Sequence, residues 1–264
     1  MIIPELCFRN NGVPIIKDTE IEMHAIDLLK DYNLSLLKEP QQLDVDDFAE
    51  SYMQLNLDYQ NLSHNGFIWG RMVYDNRQIP VLNEKLLRAE FYPVKANTIL
   101  IDNSLLENNK ENAYRSTVVH ECAHSLYHPI YFEMNGYESQ GTTACRESDI
   151  NGSKKNDSGK HKLETDMDWI EHHAKYFSAA ILMPKPAMMI AVKNWQERYE
   201  ETEKEYSNYG FDNLCKDFVN TLPSYIAETF KVSERSACIR LEQLKLNIHQ
   251  KESKYPLSNI VALF

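Results

Sequence analysis

Long apolar runs are missing from this 264-residue chain: nothing approaches the ~18 consecutive apolar residues that a membrane-crossing helix needs. Glycine is scarce, at 8 residues, and the 10 prolines follow no period, which excludes collagen-like and low-complexity classes. Cysteine is sparse too. Cys7, Cys122, Cys145, Cys215 and Cys238 are odd in number and form no CxxC pair, which suits a reducing cytosol better than a disulfide framework. Positive charge falls short: 28 Lys and Arg against 39 Asp and Glu leave a formal charge of −11. A surface that negative repels a phosphate backbone unless basic groups cluster, so bulk nucleic-acid binding is a poor reading. The opening MIIPELCFRNNGVPIIKD has neither the basic n-region nor the apolar h-region of a signal peptide. The expectation is a cytoplasmic protein with no membrane partner.

What remains is ordinary globular material, 43% hydrophobic and 25% charged, long enough for one large domain or two small ones. Residues 19–32 place Ile21, Ala25, Leu28, Leu29 and Tyr32 at helical spacing, and 44–55 reads as a second helix capped by Asp44. The period then changes. RMVYD (71–75), QIPVLN (78–83) and ANTILID (96–102) read as strands of a small antiparallel sheet. Beyond about residue 112 the pattern is mostly helical. STVVHECAHSLYHP (116–129) is a helix stopped by Pro129, and 168–183 is another, stopped at Pro184 and Pro186. Residues 133–166, rich in Gly, Ser, Asn and Lys, read as a long mobile surface loop. KNWQERYEETEKEY (193–206) reads as a charged, exposed helix, and 222–248 as helix, turn, helix.

The sharpest chemistry lies in His120-Glu121-Cys122-Ala123-His124. Two His at i and i+4 on a helix differ by about 40° in phase, so both rings leave one face and can share a divalent ion. Zinc suits such nitrogen ligands, and a catalytic site needs a third protein ligand with a fourth position left to water. Glu121, at the edge of that face, can take a proton from the activated water and pass it to a leaving amine, which is the pattern of a zinc peptidase. The third ligand comes from elsewhere. In EHHAKYFSAAILMP (171–184), Ile170, Ala174, Phe177 and Ile181 form an apolar stripe, and Glu171 and His173 flank it on opposite sides. Phase alone does not choose between them; Asp168 is a weaker candidate.

Those two motifs together resemble the ImmA/IrrE family of metallopeptidases, whose HExxH helix is followed by a helix reading roughly E-x-x-A-x-x-F-A-x-x-L-L-M-P. Glu171, Ala174, Phe177, Leu182, Met183 and Pro184 match, while Ser178 stands for the usual Ala and Lys175 for a common Asn. The segment 222–244 is similar to the family's closing segment, and ANTILIDNSLL (96–106) to its strand and turn, so the resemblance spans about residues 43–248. The resemblance implies a zincin-like α+β metallopeptidase fold over 43–264 behind an N-terminal extension, 1–42. It implies Glu171 as third ligand beside His120 and His124, with Zn²⁺ as cofactor. It also implies an intracellular endopeptidase that cleaves a DNA-binding repressor in trans.

Three further readings complete the expectations. Helix, Val-Ser turn, helix is also how a DNA reader begins, with Ser233 as cap and Arg235 and Arg240 toward phosphates; the charge balance of 222–248 favours a packing or docking element. Cys122 reads as a small buried apolar group, His128 as a surface or helix-end residue, and Cys145 with His161 as ordinary loop residues. Tyr176 and His172 are candidates for an oxyanion hydrogen bond. The rival to the peptidase is a catalytically inactive regulator on the same scaffold that binds a repressor or DNA and keeps the metal only for structure, in a closed site with His173 as fourth ligand.

Overall fold

The computed structural model describes residues 1–64, 66–135, 144–146, 163–207 and 221–246. Two short strands, β1 (Cys7–Phe8) and β2 (Pro14–Ile15), precede α1 (Asp18–Asn33) and the single turn α2 (Ser35–Lys38). Asp44 caps α3 (Val45–Asp47) by accepting from the Asp47 amide, but α3 widens at once into a π-turn, Phe48–Tyr52, so the helix expected over 44–55 ends early. Five strands follow: β3 (Asn56–Gln60), β4 (Ile68–Val73), β5 (Arg77–Asn83), β6 (Arg88–Val94) and β7 (Thr98–Asp102). Then come α4 (Glu111–Tyr127), α5 (Pro129–Asn135), β8 (Ala144–Arg146), α6 (Asp166–Leu182), α7 (Lys185–Ser207), α8 (Leu222–Phe230) and α9 (Glu234–Gln243). The fold is mixed α+β. Among the described residues no helix is long and apolar enough to cross a membrane.

The sheet is small but not antiparallel throughout. Its order is β3-β7-β4-β8, with β3 parallel to β7 and β4 antiparallel to both β7 and β8. The reason is topological: β7 returns after the β5–β6 hairpin and slots between β3 and β4, so it runs with one and against the other. Residues 78–83 therefore lie in a separate hairpin, paired from Arg77↔Val94 to Asn83↔Arg88. Every residue of β7 is buried. Ile99 and Ile101 join the main core with Val118 and Val119 of α4, while Leu100 joins Val73, Ile79 and Val94 in a second cluster on the opposite face. A strand covered on both faces reads as a continuous apolar run, as TILI does. β8 lies inside the segment expected to be loop; residues 136–143 and 147–162, with His161, lie outside the described residues.

Prolines do more than stop helices here. Pro129 opens α5, and Pro186 sits in the first turn of α7, positions where a missing N–H costs nothing. Residues 193–206 belong to α7, whose first half buries Ala187, Met188, Ala191, Val192 and Trp195. α1 places Ile21, Ala25, Leu28 and Leu29 in the same core as α4 and α6. The helix–turn–helix of α8 and α9 is present, and Ser233 caps α9 by accepting from the Ser236 amide at 3.1 Å.

Candidate metal centre

α4 carries the His pair and α6 faces it. Val118, Val119, Cys122 and Ala123 pack in one core with Ala174, Phe177, Ala180 and Ile181, and Tyr127 meets Phe177 edge to face at 5.4 Å. Small Ala side chains on both helices permit a close approach, and Ser178 Oγ donates across the seam to the Ser116 carbonyl at 3.3 Å. Thr165 starts α6 with a capping box in which Asp168 accepts from the Thr165 amide at 2.8 Å, so Asp168 is engaged at the helix start. One turn later Glu171 points at α4.

The two ring nitrogens His120 Nε2 and His124 Nε2 stand 3.0 Å apart. Glu171 adds Oε2 at 3.4 Å from His120 Nε2 and Oε1 at 3.7 Å from His124 Nε2. One ligand atom from each residue lies within 4.8 Å of the others, and His124 is wholly buried. Ligand atoms about 2.0–2.2 Å from a tetrahedral ion are separated by roughly 3.3–3.5 Å, so these spacings fit one small divalent cation. Three groups with inward lone pairs, two of them desolvated, gain most from a shared cation. Among the described residues the cluster holds these three side chains and no fourth. His173, weighed as third or fourth ligand, turns instead toward His128, with its Nδ1 3.5 Å from His128 Nε2.

His128 stands at the helix end, as its position in the sequence suggests, but not at the surface. It caps the C-terminus of α4 but is fully buried, and its Nδ1 lies 2.9 Å from His124 Nδ1. A ligand role for His124 Nε2 puts the proton on Nδ1, where His128 accepts it; His128 is then protonated at Nε2, toward His173. Burial, before any neighbouring charge, pushes the pKa of His124 and His128 well below the ordinary imidazole range, and that of His173 to about 4. All three rings are therefore neutral near pH 7, the state in which imidazole binds a metal. The sequence signal for this contact is the third His at i+8, one turn beyond His124 on the same drifting helical stripe.

Glu121 is fully buried where α4 meets β4. Gly70 makes that packing feasible. A Cβ there would stand 2.4 Å from Thr117 Cγ2 and 3.2 Å from both Cγ and Oε1 of Glu121. The next strand residue, Arg71, has its guanidinium pKa lowered by burial and raised in turn by the Glu121 charge. Gly70 and Arg71 were not singled out from sequence, although a glycine inside a β-branched and aromatic strand is a sign of close backbone approach. Tyr74, just past β4, donates to the His124 carbonyl at 3.1 Å and pins the end of α4.

The remaining candidates lie elsewhere. His172 Nε2 is 2.7 Å from Asp18 Oδ1 on α1, and Tyr176 sits beneath the Arg240 guanidinium, 5.8 Å from ring to carbon. Cys122 is buried, and burial pushes its thiol pKa up. Arg240, considered for phosphate contact, is fully buried. It donates to the Met183 carbonyl at 3.0 Å and pairs with Glu22, tying α9 to α1 and the end of α6. The α8–α9 unit is thus a packing element at that position. No protein-family profile matches the chain, and no curated protein is matched by its sequence.

Proposed function

We propose that the chain is a zinc-dependent endopeptidase of zincin-like fold, resembling the ImmA/IrrE family. The observation that carries the reading is the convergence of His120, His124 and Glu171 from two helices, with ligand atoms within 4.8 Å of one another. Three protein ligands are the number found in catalytic zinc sites, whereas structural sites use four. Bound there, zinc would supply Lewis acidity toward a peptide carbonyl and an attacking water.

The chain's own residues supply the rest. Glu121 follows His120 directly, and its carboxylate takes the water's proton and delivers it to the leaving amine. Gly70 lets β4 close over that carboxylate, which restricts where it can move. His128 holds the His124 ring through Nδ1, fixing the direction of the Nε2 lone pair. The substrate in this reading is a DNA-binding repressor acting in trans, and direct nucleic-acid binding by a chain of charge −11 is not part of it.

The test pairs metal content with cleavage. Elemental analysis of protein purified without added metal should give about one zinc per chain. Glu121→Gln keeps size and most hydrogen bonds, so zinc should stay while cleavage of a helix-turn-helix repressor encoded beside the gene falls by about 10² to 10⁴. Substoichiometric metal with no uptake of added Zn²⁺ would remove the zinc reading, and equal cleavage by both proteins would remove Glu121 from the mechanism.

A further inference from the structure

Beside His120 a cleft of about 230 Å³ opens between α4, α6 and α9. Its apolar wall includes Leu182 and Val232, both buried, and Ile239, which is 44% exposed. Among the described residues the charged ones of its lining are Lys175 and Arg235, and no described Asp or Glu lines it. That is a local inversion in a chain with formal charge −11. Lys175 follows Glu171 by one helical turn, so the two side chains share a face about 5–6 Å apart at Cβ. The volume falls below the ~300–1,000 Å³ of sites that enclose a small ligand or cofactor, and suits one or two peptide side chains.

We propose that this cleft selects substrate by accepting a glutamate side chain of an extended peptide, its carboxylate gripped by Lys175 and Arg235 and its methylenes laid against Leu182, Val232 and Ile239. The assignment rests on the peptidase reading of the neighbouring cluster. Successive residues of an extended peptide advance about 3.3 Å, so a side chain reaching Lys175 belongs within about two residues of the cleaved bond. Glutamate is favoured over aspartate because its second methylene adds apolar contact below the charged head. A phosphate backbone is a poorer occupant: two cations do not offset the repulsion of the remaining surface.

Binding is measured apart from turnover with the full chain carrying Glu121→Gln, loaded with zinc, by fluorescence anisotropy of short peptides that differ at one position. The Glu peptide should bind about tenfold to hundredfold more tightly than its Gln twin, the worth of one or two charge-assisted hydrogen bonds, and the Lys peptide most weakly. Lys175→Gln should erase most of that preference, and the pair Lys175→Glu with Arg235→Glu should invert it toward Lys. Both positions are exposed, so folding and zinc content should hold, as circular dichroism and elemental analysis check. Equal binding of the three peptides, or a preference untouched by the charge reversal, overturns the proposal. Preferential binding of the Glu peptide without cleavage by the wild-type chain upholds the cleft and sinks the peptidase; cleavage indifferent to Glu does the reverse. Neither binding nor cleavage overturns both.

Discussion

A single methyl group added at position 70 should misplace Glu121 while leaving the His–His–Glu cluster assembled. The Cβ of Gly70→Ala would lie 2.4 Å from Thr117 Cγ2, against an optimum near 3.5–4.0 Å, so β4 and α4 must separate by about 1 Å. Overpacking of this kind costs about 1–3 kcal/mol. The gain from replacing a strand glycine with alanine, about 0.5–1 kcal/mol, offsets part of it, leaving a net loss of about 0–2.5 kcal/mol. The same Cβ presses on Glu121 Cγ and Oε1 at 3.2 Å, so the strand backs away and the carboxylate is turned aside relative to the His pair on its own helix. A 1 Å displacement of a reacting group is worth on the order of 10² in rate. Zinc retention should stay near wild type, because Glu171 comes from α6 and the His rings leave a different side of α4. Thr117→Ala removes the opposing methyl together with a buried hydroxyl that has no hydrogen-bond partner among the described residues. Combined with Gly70→Ala, it should recover stability beyond additivity, with a coupling of about 1–2 kcal/mol. Urea unfolding of the four proteins, with zinc content and peptide cleavage measured in parallel, provides the assay. Wild-type stability for Gly70→Ala and zero coupling to Thr117 would refute the close-approach argument.

Glu171→Ala should weaken zinc retention, read by competition with a chelator, far more than His173→Ala; the opposite ranking would transfer the ligand role to His173. His128→Phe fills similar space without accepting from His124 Nδ1, and should lower zinc affinity about 10- to 100-fold, with His128→Gln closer to wild type. If both bind zinc as the wild type does, His128 does not orient the ligand. Arg240→Met leaves the Glu22 carboxylate half of a buried pair and should cost about 3 kcal/mol in thermal or urea unfolding, with much of that recovered by adding Glu22→Gln. An unchanged melting temperature would show that Arg240 does not tie α9 to α1.

Local rules were enough wherever one element carries the whole pattern. The i, i+4 pair His120 and His124 follows from helical phase, and TILID betrays a buried strand because both of its faces are covered. β3 and β6 were invisible for the converse reason: NLDYQ and RAEFYPV mix charge, amide and proline with apolar groups, as strands with a solvent side do. The choice between Glu171 and His173 depended on how α6 is rotated against α4. That rotation is decided by where Ala174, Phe177 and Ile181 seat in the core, and residues on either side of a stripe are equivalent until a partner surface exists. The sequence placed His128 at a helix end and favoured a packing role for the segment that holds Arg240, but neither local pattern shows burial; tertiary packing buried both residues by supplying His124 and Glu22 as partners. The sequence alone determined that two imidazoles leave one face of one helix, a pair that could hold a metal ion. Only the packing of α4 between α6 and β4 decided which side chain of α6 meets the pair and how closely a strand covers Glu121, because both depend on contacts between segments far apart in the chain.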